Sequence, residues 1–119
     1  MVSSLDEFEK AVLRLREALE QPKTDFIRDS VIRRFEFCVE LAWKSARRTL
    51  GFTSTAPKVV IRDLARQGVI SDPAIWFSLL EARNETSHTY KEEVAERVYR
   101  VAQGALPEFS RLLQALQKL

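Results

Sequence analysis

The residues best suited to chemistry lie together in one stretch, Arg83-Asn84-Glu85-Thr86-Ser87-His88-Thr89-Tyr90. His88 is the sole histidine of the chain, and histidine is the residue type whose unperturbed pKa lies near neutrality. Leu80, Asn84 and His88 are spaced by four, so they share one row if a helix persists through them. Trp76, Arg83 and Ser87 make the adjacent row. Arg83 and His88 are five residues apart, which on a regular helix separates them by about 140°. Two geometries bring them together: a helix break between them, or two subunits that juxtapose their segments across a twofold axis. Thr89 and Glu92 have capping-box spacing, so a last helix is expected to begin near Thr89. Its N-terminus would favour an anion such as phosphate. The same residues also suit a plainer role, because a lone histidine near a helix end often caps and a lone arginine is often a solvated charge.

Other chemistries find no support. One histidine and one cysteine make no recognisable zinc site, and there is no Gly-rich phosphate loop. No Asp-x-Asp pair is present to hold the two metals of a nucleotidyltransferase. No metal and no cofactor are therefore expected.

The elements that must position the segment are helical. Leu5, Phe8, Val12, Leu15 and Leu19 form a helical stripe from about Ser4 to Glu20, with Ser4 and Glu7 at capping-box spacing. After a turn at Gln21-Pro22-Lys23-Thr24, a long helix is predicted from Asp25 to Leu50. It carries the stripe Val31, Phe35, Cys38, Ala42 and Ala46, widened by Phe37 and Leu41, with Ile32, Val39 and Trp43 on its other side. Its row Glu36, Glu40, Lys44 and Arg48 is expected to face solvent or a partner. Gly51 is the predicted stop. A short helix, Lys58 to Gln67, follows Pro57 and closes at Gly68. Asp72 as N-cap and Pro73 at the first helical position start the helix that carries Trp76, Leu79, Leu80 and Arg83. Val94, Val98, Val101, Ala105, Phe109, Leu112 and Leu116 stripe the last helix, with a kink expected at Pro107. With only three glycines and four prolines to interrupt them, such helices predict an all-α, antiparallel up-and-down four-helix bundle with one short additional helix, a single domain over 1–119.

Composition narrows the class without naming a function. Hydrophobic residues at 45% and charged residues at 30% suit an ordinary globular domain. A net charge of +2 does not argue for nucleic acid, although basic residues gather at Arg33-Arg34, at Lys44 with Arg47-Arg48, and at Lys58, Arg62 and Arg66. The single Cys38 fits a core position and a reducing compartment, and a cytoplasmic location is expected. The first residues lack signal-peptide features and no apolar run reaches membrane-spanning length, so no membrane association is expected.

Arg83-x-x-x-x-His88-x-Tyr90, with Asn84 after the arginine, resembles the signature of the HEPN superfamily, the helical nucleotide-binding domains of prokaryotes and eukaryotes. Arg33-Arg34-Phe35-Glu36-Phe37 and Glu40-Leu41-Ala42-Trp43-Lys44 resemble the second-helix pattern of its nucleotidyltransferase substrate-binding branch, as does the stretch Pro57 to Ile70. The resemblance covers nearly the whole chain. It implies a homodimer or higher even oligomer, a separate minimal nucleotidyltransferase as partner, and RNA or a nucleotide as ligand. It implies one of two roles: a substrate-binding subunit, or a HepT-type toxin that cleaves RNA without metal and is silenced by AMP addition at Tyr90. In the second role Arg83, Asn84 and His88 are the expected catalytic residues and Tyr90 the modified one. A plain dimeric scaffold is the remaining alternative.

Overall fold

The computed structural model describes residues 4–119. Among the described residues there are five α-helices and one 3₁₀ turn: α1 (Ser4–Leu19), α2 (Asp25–Leu50), α3 (Pro57–Arg66), α4 (Pro73–Glu85), the 3₁₀ turn Thr86–His88, and α5 (Glu92–Gln117). At 1.5 Å rise per residue the two 26-residue helices, α2 and α5, span about 39 Å each. That matches the 39 Å longest extent of the molecule. α1, α2, α4 and α5 form the four-helix bundle and α3 is the short additional helix, packed on α2 and α4.

Local signals set most helix ends. The Thr24 hydroxyl accepts from the Ile27 amide at 3.1 Å and starts α2. Gly51, at φ 71°, ends α2 in the left-handed conformation that lacks a steric penalty only for glycine. Asp72 accepts from the Ala74 amide at 3.0 Å, with Pro73 at the first helical position of α4. The expected Ser4–Glu7 capping box falls outside the described side chains. α5 runs without interruption through Pro107.

The apolar stripes meet around Phe109 of α5. Its ring lies 6.4 Å from Phe8 of α1, 6.1 Å from Phe35 of α2 and 5.8 Å from Trp76 of α4, centroid to centroid. The predicted stripe of α2, Val31, Phe35, Cys38, Ala42 and Ala46, is fully buried. Phe37 departs from the expectation. It is 47% exposed, because it lies some 160° around α2 from Phe35, away from the core and in the open groove beside α1. Burial pushes the Cys38 thiol up to about 12, so at neutral pH it stays protonated and behaves as a small core residue.

One cation lies inside this frame. Arg28 is 5% exposed, seven residues before Phe35 and so on the same face of α2. Its guanidinium ion-pairs with Glu92, with Glu96 at 3.2 Å and with Asp29 at 3.2 Å. The hydrogen bond to Glu92 holds it charged; burial opposes this, and Glu96 and Asp29 reinforce it. Lys23 reaches Glu96 from the other side at 2.5 Å. This network fastens the start of α5 to the start of α2.

The hydrogen bond from Lys23, then that from Arg28, lowers the pKa of Glu96 below its ordinary value of 4.5. A lowered folded-state value means that the stabilisation is complete above the unfolded pKa and is lost as pH falls through the folded one. Thermal midpoints should therefore drop as pH falls below 4.5. In Glu96→Gln the drop should be shallower, which melting curves between neutral and acid pH measure; equal slopes in the two proteins would remove Glu96 from this role.

Candidate functional site

α4 ends at Glu85 and the chain tightens into the 3₁₀ turn Thr86–His88 before α5 begins at Glu92. Three hydroxyls make this junction. Thr86 Oγ1 donates to the Arg83 carbonyl at 2.7 Å, Ser87 Oγ to the Asn84 carbonyl at 3.3 Å, and Thr89 Oγ1 to the Thr86 carbonyl at 3.1 Å. Each turns back three residues to a carbonyl near the change of winding. Thr89 is thereby committed backward and does not cap α5. The cap position is Lys91, which makes no side-chain capping bond. This corrects the expected Thr89–Glu92 capping box. Of the two geometries open in the sequence, a helix break between Arg83 and His88 is present.

The junction is clamped on two sides. Arg97 Nε of α5 donates to Glu85 Oε2 at 3.1 Å, and the Arg28 network holds Glu92. The first turn of α5 also carries its own carboxylates, Glu92 and Glu93. They partly answer the dipole that was expected to attract phosphate there.

Arg83 is half-buried and lies across from α2. Its Nε is 2.9 Å from Glu40 Oε1, a close ionic contact too poorly aligned to count as a hydrogen bond. The other oxygen of Glu40 lies 3.4 Å from Lys44 Nζ. Glu40 thus sits between two cations and fixes the side from which Arg83 presents its guanidinium. Sequence reasoning placed Glu40 in a row facing solvent or a partner; its recurrence four residues before Lys44 was the signal, but its second partner, Arg83, lies on another helix. Arg28 was missed in the same way, and its signal was a charge on the face of Val31, Ile32 and Phe35.

Asn84, Ser87, His88 and Tyr90 are exposed. The His88 and Tyr90 rings stand edge to face, 6.1 Å apart. Tyr90 is 77% exposed, whereas the other tyrosine, Tyr99, is buried beneath Lys23. Among the described residues no hydrogen bond joins Arg83 to His88. The structure therefore gathers the segment at one surface junction, with the arginine turned toward α2 and the imidazole turned outward beside Tyr90. An outward imidazole can exchange protons with a bound ligand, and a half-buried guanidinium can meet phosphate charge. Among the described residues no group of His, Cys, Asp and Glu is arranged to hold a metal, and no helix is long and apolar enough to cross a membrane.

Comparison with known proteins places relatives beside this geometry. The family described as nucleotidyltransferase substrate binding protein like matches residues 3–118. A Haemophilus influenzae protein named probable ribonuclease HepT is 35% identical over 95 residues, 73% of this chain and 65% of that protein. The chain thus spans just under two thirds of that relative's length. A Haemophilus influenzae structure, described as revealing the fold of a substrate binding domain of a nucleotidyltransferase, superposes with a TM-score of 0.84 at 29% identity, covering 95% of this chain and 98% of that one. A crystal structure from Thermus thermophilus superposes with a TM-score of 0.77 at 30% identity, covering 93% and 96%.

Proposed function

Because the chain belongs to the nucleotidyltransferase substrate binding protein-like family, we propose that it is the partner subunit of a minimal nucleotidyltransferase in a two-component, toxin–antitoxin type system. In this reading it is a cytoplasmic, metal-independent endoribonuclease acting as a homodimer, and AMP addition at Tyr90 silences it. The observation that carries the reading is the pairing of an exposed His88 with an exposed Tyr90 at a clamped helix junction, one turn beyond an arginine held in place by Glu40. The name of the Haemophilus relative, probable ribonuclease HepT, supports it.

The chemistry follows from the residue types. A neutral imidazole takes the proton of a ribose 2′-hydroxyl as its oxygen attacks the adjacent phosphorus. The bond to the 5′-oxygen breaks, and a second, protonated imidazole supplies that oxygen with a proton. The products are a 2′,3′-cyclic phosphate and a 5′-hydroxyl. Arg83 stabilises the charge that develops on the phosphoryl oxygens, and Asn84 orients one of these groups or the adjacent backbone. One histidine per chain cannot act as base and acid in a single concerted step, so two protomers supply one each. Phe26, 88% exposed on the first turn of α2, stands at the same end of the bundle as Tyr90, since Arg28 joins Glu92 there. It offers apolar surface to a second protomer.

Silencing uses the Tyr90 phenol. Its oxygen attacks the α-phosphorus of ATP, the α–β phosphoanhydride breaks and pyrophosphate leaves. A bulky anion then stands beside His88. Incubation with the partner transferase and ATP should add one adenylyl group per chain and stop cleavage. Tyr90→Phe should show neither effect by intact mass and activity, and adenylylation persisting in that variant would displace the assignment. The reading as a whole is tested by RNA cleavage in EDTA. A non-catalytic, substrate-binding subunit is the second reading, favoured by the description of the Haemophilus structural neighbour. Nucleotide binding without any cleavage in that assay would select it.

A further inference from the structure

The surface between α1 and α2 carries a feature that the reading above does not use. α1 and α2 leave between them a groove of about 540 Å³, lined by Lys10 and Arg14 of α1 and by Arg33, Arg34, Phe37 and Leu41 of α2, with Glu7 as its single carboxylate. Such a volume is in the range of ligand sites. Arg34 donates to the Arg14 carbonyl at 2.6 Å and ties the two helices across the floor. Lys10, Arg14 and Arg33 are exposed, and among the described residues none of them is held in an ion pair. The Arg33 guanidinium lies 5.3 Å from the centroid of the Phe37 ring, which is 47% exposed.

Resting on the ribonuclease reading, we propose that this groove binds a single-stranded segment of the RNA substrate, with phosphates on Lys10, Arg14 and Arg33 and a base stacked at Phe37. Cations that track a backbone beside an exposed aromatic ring are the recurring means of holding single strands. Charge selects this occupant over a second copy of the chain. A twofold interface would set the groove against itself, placing four cations opposite four with one carboxylate on each side. Position selects a strand over a mononucleotide. Lys44 lies seven residues beyond Phe37 on the same outward face of α2, about 10 Å away, and shares Glu40 with Arg83. A strand leaving the groove across α2 therefore meets Lys44 and then the Arg83 junction.

The test is fluorescence anisotropy with a labelled oligouridylate of about ten nucleotides, within the range one such surface accommodates. It is run in the His88→Ala background so that the probe stays intact, with circular dichroism confirming that each variant folds. Arg14→Ala with Arg33→Ala should weaken binding about tenfold or more and reduce the salt dependence by about 1.4 in log–log slope, that of two lost single-strand phosphate contacts. Phe37→Ala should weaken it by about tenfold, and Arg111→Ala, on α5 and outside the groove lining, should leave it unchanged. Groove variants that bind as tightly as their parent, while Arg83→Ala binds weakly, overturn the groove and leave the ribonuclease reading standing. A parent that binds no RNA overturns both. Displacement of the probe by AMP at the concentration of competing oligonucleotide makes the groove a mononucleotide site, and dissociation of the dimer in the groove variants makes it a protomer interface. Either result overturns the proposal.

Discussion

His88→Ala should lower RNA cleavage in EDTA by about 10²–10⁴-fold, the usual contribution of a positioned proton-transfer group. The size follows from the count of histidines. The chain has one, its ring is exposed beside Tyr90, and in a composite dimer site the substitution removes the base and the acid together. The loss should appear without a change in melting temperature, since an exposed ring on a 3₁₀ turn contributes little packing. Mixed dimers give a sharper readout. If one imidazole from each protomer is required, activity in wild-type and His88→Ala mixtures should fall as the square of the wild-type fraction. A linear fall would mean that each protomer works alone, and undiminished cleavage by the variant would remove His88 from the chemistry. Glu40→Gln separates positioning from chemistry in the same assay. It keeps the side-chain shape and removes the charge that holds Arg83, so it should cost less than Arg83→Ala.

Phe109→Ala should destabilise the fold by about 3–5 kcal/mol, the range for deleting a buried aromatic side chain. Phe109 is fully buried and is the ring around which Phe8, Phe35 and Trp76 gather from the other three long helices. Its removal takes a contact from every helix of the bundle at once, so no single side chain can relax to fill the space. For a chain of 119 residues each kcal/mol shifts the melting temperature by about 4 °C. The midpoint should therefore fall by roughly 12–20 °C. Urea titration checks the free energy directly, with Phe109→Leu expected to recover much of the loss. A shift of only a few degrees would show that Phe109 is not the centre of the core.

How much of this was legible beforehand depended on the reach of the interaction involved. The ends of α2 and the start of α4 could be read because Thr24, Gly51, Asp72 and Pro73 act within a few residues of themselves. The buried stripes of α2 and α5 could be read because a helix repeats every 3.6 residues and apolar side chains leave water. Thr89 misled because a threonine hydroxyl can bond forward into a helix or back to a carbonyl, and the 3₁₀ winding of its own neighbours decided for the second. Phe37 misled because an apolar residue beside a buried stripe is buried only if a neighbouring helix covers that flank.

The segment Arg83 to Tyr90 divides along the same line. The amino-acid sequence by itself determined that the segment lies at a helix junction, that it holds the only histidine, and that Arg83 and His88 cannot share one regular helical face. Those are consequences of residue type and of the 100° step between neighbours. Tertiary structure alone decided that Arg83 meets Glu40, that Arg28 ties the start of α5 to α2, and that four cations and an aromatic ring converge between α1 and α2. Each of these joins residues from separate helices, and the relative rotation and height of two helices follow from how their side chains interlock. No local spacing along the chain encodes that.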